Sequence, residues 1–157
     1  MLGNCSQGEL LRIKRHNTIR SILANALRET GLEVYEEVHC LADGGGTRRI
    51  DIIAINSRKS EAEIIDPTIR FETHKDQPQE VNLEKRQIYE PTIPYFQQYY
   101  NINKISVVGL LFGSQGTITK SFVTWKIRKV IQDQNVYNII KYSIAIFRNH
   151  VYGLSSI

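Results

Sequence analysis

Two β-branched runs, Arg49-Ile50-Asp51-Ile52-Ile53-Ala54-Ile55 and Glu61-Ala62-Glu63-Ile64-Ile65-Asp66, constrain the fold more than any other feature of the chain. The polar linker Asn56-Ser57-Arg58-Lys59-Ser60 interrupts the apolar pattern, so the runs read as the two strands of one hairpin. The first run is almost continuously apolar, which predicts a strand covered on both faces. Pro67 cannot donate to a ladder, and the second strand is expected to stop there.

Helical patterns supply the cover. From Glu9 to Arg28, Leu10, Leu11, Ile13, Ile19, Ile22, Leu23, Ala26 and Leu27 recur at helical spacing, and Thr30-Gly31 ends the run. Leu32 to Val38 alternates as a strand before the turn Asp43-Gly44-Gly45-Gly46. Pro78 to Tyr89 reads as a second helix, with a break near Pro91 and Pro94, and Lys104 to Phe112 as another buried strand. A helix capped by Thr117 or Thr119 runs through Ile131, and a last helix runs from Asn135 to Arg148. The expected order is α-β-β-β-α-β followed by two helices, an α/β fold with a sheet of mixed direction.

At 157 residues and 18.1 kDa the chain suits one domain and excludes a second of full size. The two cysteines, Cys5 and Cys40, are too few for a disulfide scaffold, and no apolar run reaches the about 18–20 residues that cross a bilayer. A soluble protein of an intracellular, reducing compartment is expected. The net charge of +4 permits an anionic partner without demanding one. Basic stretches at Glu9–Arg28 and Lys120–Arg148 flank an acidic one at Glu29–Asp43. They suit either a phosphate backbone held over a carboxylate site or plain solvated helix faces.

A hairpin turn centred on Arg58-Lys59 places Ile55 opposite Ala62, Ile53 opposite Ile64 and Asp51 opposite Asp66. Directly opposed Cβ atoms lie about 4.5–5.5 Å apart, where like charges repel and need compensation. Two converging carboxylates form a hard oxygen site, the kind Mg²⁺ uses with waters and phosphate oxygens. An odd loop would slip the register and leave both acids as ordinary strand ends. On the second helix Val81, Ile88 and Tyr89 share one stripe, and Lys85 falls within it. That lysine either snorkels to the rim or is held towards the aspartates.

These residues resemble the restriction-like endonuclease domain at the C-terminal end of site-specific non-LTR retrotransposon proteins, within the PD-(D/E)xK nuclease superfamily. The resemblance rests on Arg15-His16-Asn17, Arg49-Ile50-Asp51, a 14-residue spacer, Asp66-Pro67-Thr68, and Glu84-Lys85 with Tyr89 four residues on. Ile50 stands where that family has proline. The resemblance implies a restriction-endonuclease-like core at residues 6–116, with 117–157 as its helical extension. It makes Asp51, Asp66, Lys85 and Tyr89 the catalytic set, with Mg²⁺ or Mn²⁺ on Asp51 and Asp66. Arg15, His16, Arg49, Lys120 and Lys126 become contacts to DNA.

The implied function is nicking of target DNA for target-primed reverse transcription, in the nucleus, beside a reverse transcriptase domain missing from this chain. Gly3-Asn4-Cys5 resembles the end of a zinc knuckle, so residues 1–5 read as its remnant and the chain as a fragment. Cys5 alone cannot hold zinc, which takes four ligands. The alternatives are an inactive nucleic-acid-binding remnant and a structure-selective, resolvase-like nuclease.

Other candidates are weaker. Glu72 or Glu80 would supply a third carboxylate, or both are solvated loop acids. His39, His74 and His150 share no metal-ligand spacing. Tyr95, Phe96, Tyr99 and Tyr100 either stack on unpaired bases or pack internally. The apolar stripe Val136, Ile139, Ile140, Ile144 and Phe147 either packs internally or meets the missing polymerase.

Overall fold

The computed structural model describes residues 7–152, with side chains as far as residue 142. The expected zinc-knuckle remnant at 1–5 and the side chains of Ile144, Phe147, Arg148 and His150 lie outside the described residues. Helix α1 (Gln7–Glu29) leads into strands β1 (Glu33–Leu41), β2 (Thr47–Asn56) and β3 (Glu61–Arg70). Helix α2 (Gln77–Tyr89), a 3-10 turn (Glu90–Thr92) and α3 (Ile93–Tyr100) cross over to β4 (Lys104–Gly113). Helices α4 (Lys120–Arg128) and α5 (Asp133–Tyr152) follow. The strand order is β1-β2-β3-β4, antiparallel between the first three and parallel between β3 and β4, so this is an α/β fold with a mixed sheet.

The β2–β3 register is the one the even turn requires. Ile55 pairs with Ala62 and Ile53 with Ile64, and the ladder closes at Ile52 and Ile65, one step short of Asp51 and Asp66. Strand β3 then runs on to Arg70 instead of stopping at Pro67, which sits opposite Leu110 of β4. Pro67 is tolerated because β2 has no pair beyond Ile65 and only alternate residues of a strand donate to a given neighbour. Each proline of the crossover starts a helical segment, which turns the expected break into α3 as a separate helix. Thr119 caps α4 by accepting from the Phe122 N–H at 3.2 Å. That helix ends at Arg128, short of Ile131, because Val130 takes a left-handed φ of 58°.

One core joins Ile19, Leu23 and Leu27 of α1 to Ile52, Ile65, Leu110, Phe112, Phe122, Trp125 and Ile139. The helices after β4 therefore belong to the same packed unit as α1. The second core, on the other face, holds Ile53, Ile64, Phe96, Ile105 and Val107. Part of the basic stretch of α1 pairs with acids of β1. Arg20 reaches Glu36 at 3.3 Å and Glu37 at 2.9 Å, and Arg28 reaches Glu36 at 3.3 Å. This charge pattern docks α1 on β1. Among the described residues no helix is long and apolar enough to cross a membrane.

Phe122 is fully buried between β4 and the sole tryptophan. Phe122→Ala is expected to cost about 3–5 kcal/mol in guanidinium unfolding. In the parent, Trp125 fluorescence and far-UV circular dichroism should give coincident transitions, because α4 shares the main core. Separate transitions would contradict that packing.

Candidate active site

The position of Asp51 follows from an irregularity in the β1–β2 ribbon. Pairing runs from Glu33–Ile55 to Glu36–Ile52 and resumes at Val38–Ile50 with no residue inserted. Glu37, which faces Asp51 across this gap, has a left-handed φ of 52°. Ile52 and Val34 pack in the first core, whereas Ile50, Val38 and Cys40 pack in the second. Residues an even number apart normally share a face. The ribbon therefore rolls over at Glu37 and Asp51. A left-handed glutamate is costly, of order 1–2 kcal/mol, and Arg20 holds it by donating to its carboxylate.

At the roll, α1 reaches Asp51 on β2, and α2 reaches Asp66 on the neighbouring strand. His16 of α1 lies with Nε2 3.2 Å from Asp51 Oδ2. Asp66 follows Ile65 on β3 and is 4% exposed. Thr68, two residues on, donates its hydroxyl to Asp66 Oδ1 at 2.8 Å. From α2 the Lys85 ammonium comes within 3.5 Å of Asp66 Oδ2, with its side chain only 16% exposed. Tyr89, one turn later, hydrogen-bonds Asp66 as well. Bidentate pairing of Glu84 with Arg70, at 2.7 and 2.9 Å, ties α2 to the end of β3.

The electrostatics show these groups acting on one another. Burial, then the negative charge of Asp51, pushes the Asp66 carboxyl above the usual aspartate range, against Lys85 and the Thr68 and Tyr89 hydrogen bonds. The hydrogen bond to Asp51 holds His16 above its ordinary value. Burial and both aspartates push the Tyr89 hydroxyl far up, so it stays protonated as a donor. Among the described residues no cluster of three or more His, Cys, Asp or Glu side chains is placed to hold a metal. Two carboxylates suffice for a cation that keeps several waters and also takes ligands from a phosphate.

Of the residues expected from sequence, Asp51, Asp66, Lys85, Tyr89 and His16 come together. Arg15 does not join them. It is 7% exposed, and its guanidinium donates to the Ser114 carbonyl at 2.8 Å, which commits it to the turn after β4. Lys126 pairs with Asp133, while Arg49 and Lys120 are exposed. Glu80 pairs with His74 at 2.9 Å, and Glu72 lies against Gly113, so neither completes the site. Phe96 is buried and Tyr100 stacks on Tyr35 at 5.6 Å, which makes the aromatic group packing, with Tyr99 alone largely exposed. Thr68 gave no signal beyond its place two residues after the second acid.

No family model matches the chain, and no curated protein sequence matches it significantly. The crystal structure of a protein of unknown function, AF1548, aligns with 89% of this chain and 100% of its own, at 11% identity and a TM-score of 0.39. A likeness that distant bears on neither the activity nor the site.

Two titrations follow with opposite groups but the same sign. His16 is raised in the fold, so its stabilisation is complete below its ordinary value of 6.5 and fades as pH rises through the raised one. His16→Gln is thus expected to lower the melting temperature more at pH 6 than at pH 8.5. Asp66 is also raised, so its ionisation burdens the fold only as pH climbs above the ordinary value of 3.8 and through the raised one. Asp66→Asn should raise the melting temperature at pH 7.5 and lose that advantage near pH 4. The reverse ordering in either series would contradict the arrangement.

Proposed function

We propose that this chain is a metal-dependent DNA endonuclease of the restriction-like type, hydrolysing a phosphodiester bond in one strand of target DNA. The observation that carries the reading is the meeting of Asp51, Asp66 and Lys85 from β2, β3 and α2 at one point of the sheet. The donor set fits a hard divalent cation. Asp66 is buried beside another negative charge, and a positive ion between them would relieve both. Asp51 and Asp66 would hold Mg²⁺ or Mn²⁺, which when bound supplies Lewis-acid activation of the attacking water and the scissile phosphate.

The remaining work belongs to the chain's own side chains. Thr68 and Tyr89 hold the Asp66 carboxylate in one orientation by hydrogen bonding. Lys85 presents a fixed ammonium that orients the nucleophile and offsets charge developing on the phosphate. His16, on the opposite side of Asp51, steadies that carboxylate and meets the substrate backbone when protonated. In the full reading the nick leaves a 3′-hydroxyl that primes reverse transcription by a polymerase domain, in the nucleus, as in non-LTR retrotransposon proteins.

Nicking of supercoiled plasmid tests this. With Mg²⁺ the parent should convert supercoiled to open-circular DNA, and chelation by EDTA should stop it. Asp51→Ala, Asp66→Ala and Lys85→Ala should each slow the reaction by about 100-fold or more. Equal rates for Asp51→Ala and parent would overturn the assignment. Salt-sensitive DNA binding without cleavage under any metal would leave a binding protein in its place.

A further inference from the structure

Gly109 lies directly opposite Asp66 in the parallel β3–β4 register. At Gly31, Gly44, Gly45 and Gly116, φ values of 90–95° account for glycine. Gly109 has no such φ, so its lack of a side chain needs another reason. A Cβ at this position would stand 2.7 Å from Lys85 Cγ, 2.8 Å from Lys85 Cβ and 3.1 Å from the Val81 carbonyl oxygen. These atoms are the root of the lysine and the backbone of α2, which cannot swing aside as a side-chain tip does. The Gly109 N–H also donates to Asn82 Oδ1 at 2.9 Å, tethering the same turn of α2 to the same strand position.

We infer that Gly109 and Asn82 are positioning residues for Lys85. Gly109 leaves a notch in β4 over which the lysine stem lies, and Asn82 fixes the height of the helix above it. Without the notch α2 lifts or Lys85 changes rotamer, and either movement takes the ammonium from its place 3.5 Å from Asp66 Oδ2. A lysine delivered from a helix, and not from the acid's own strand, needs such a close approach. The kinetic part of this inference rests on the nuclease reading, and the geometric part does not.

The experiment combines Gly109→Ala, Asn82→Ala and Lys85→Met, singly and with Lys85→Met as a shared background. Plasmid nicking at saturating DNA and the NMR signal of ¹³C-methylated Lys85, assigned with Lys85→Arg, are the two measurements. Gly109→Ala should slow the saturated rate by about 100-fold while changing KM less than about twofold. It should cause no further loss in the Lys85→Met background, because the two changes remove one function. The Lys85 signal, distinct beside Asp66 in the parent, should move to the position of the exposed lysines. Asn82→Ala should shift rate and signal the same way, and it carries the test if Gly109→Ala fails to fold. Rate losses that multiply with Lys85→Met, or an unmoved Lys85 signal, would overturn the inference. If the parent does not nick DNA the nuclease reading fails, and the Lys85 signal alone decides the positioning role.

Discussion

Two like charges on neighbouring strands are a liability that a fold must answer, and the architecture around Asp51 and Asp66 is organised by that answer. Asp66 is deeply buried and Asp51 half-buried, so water screens their repulsion poorly. The Lys85 ammonium approaches Asp66 from α2, and the His16 imidazole, its protonated form favoured by Asp51, approaches from α1. Each needs its helix held in register with the two aspartates. The Arg20 and Arg28 pairs with Glu36 and Glu37 hold α1, and the Arg70–Glu84 and Gly109–Asn82 contacts hold α2.

A buried carboxylate is not by itself a site, and Glu63 shows the contrast. It is 8% exposed on β3, three residues before Asp66, on the face covered by α4. The Trp125 indole donates to it at 2.9 Å and the Lys129 ammonium lies 3.1 Å away. A single acid with its own donors is a fastener between sheet and helix. Asp66 differs because its neighbour is a second acid, whose negative charge adds to the effect of burial. The pairing of acids, more than their burial, is what suits the proposed divalent cation.

Much of this was legible from sequence because strand and helix periods are rigid. The even turn at Arg58-Lys59 placed Ile55 against Ala62 and Ile53 against Ile64, in a ladder that closes one step short of the two aspartates. Helical spacing put Lys85 on the stripe of Val81 and Tyr89. Other features depend on tertiary contacts that no local pattern records. The roll at Glu37 lies in an ordinary run of alternating residues, yet it decides that Asp51 is open to α1. Arg15 is one residue from His16 and was expected beside it, but successive helix positions differ by about 100° and Arg15 points to Ser114. Gly109 sits inside an apolar strand and reveals its meaning only when α2 is seen lying over it. Strand β3 passes through Pro67 because its ladder with β2 closes at Ile65, while β4 continues beside it.

Paramagnetic broadening by Mn²⁺ measures the central claim without any nucleic acid. On titration with substoichiometric Mn²⁺, the resonances of residues around positions 51, 66, 68 and 85 should disappear first and saturably, and excess Mg²⁺ should restore them. Broadening that begins instead at the acids of β1, or that reaches no saturation, would contradict the claim that these two aspartates grip one divalent ion.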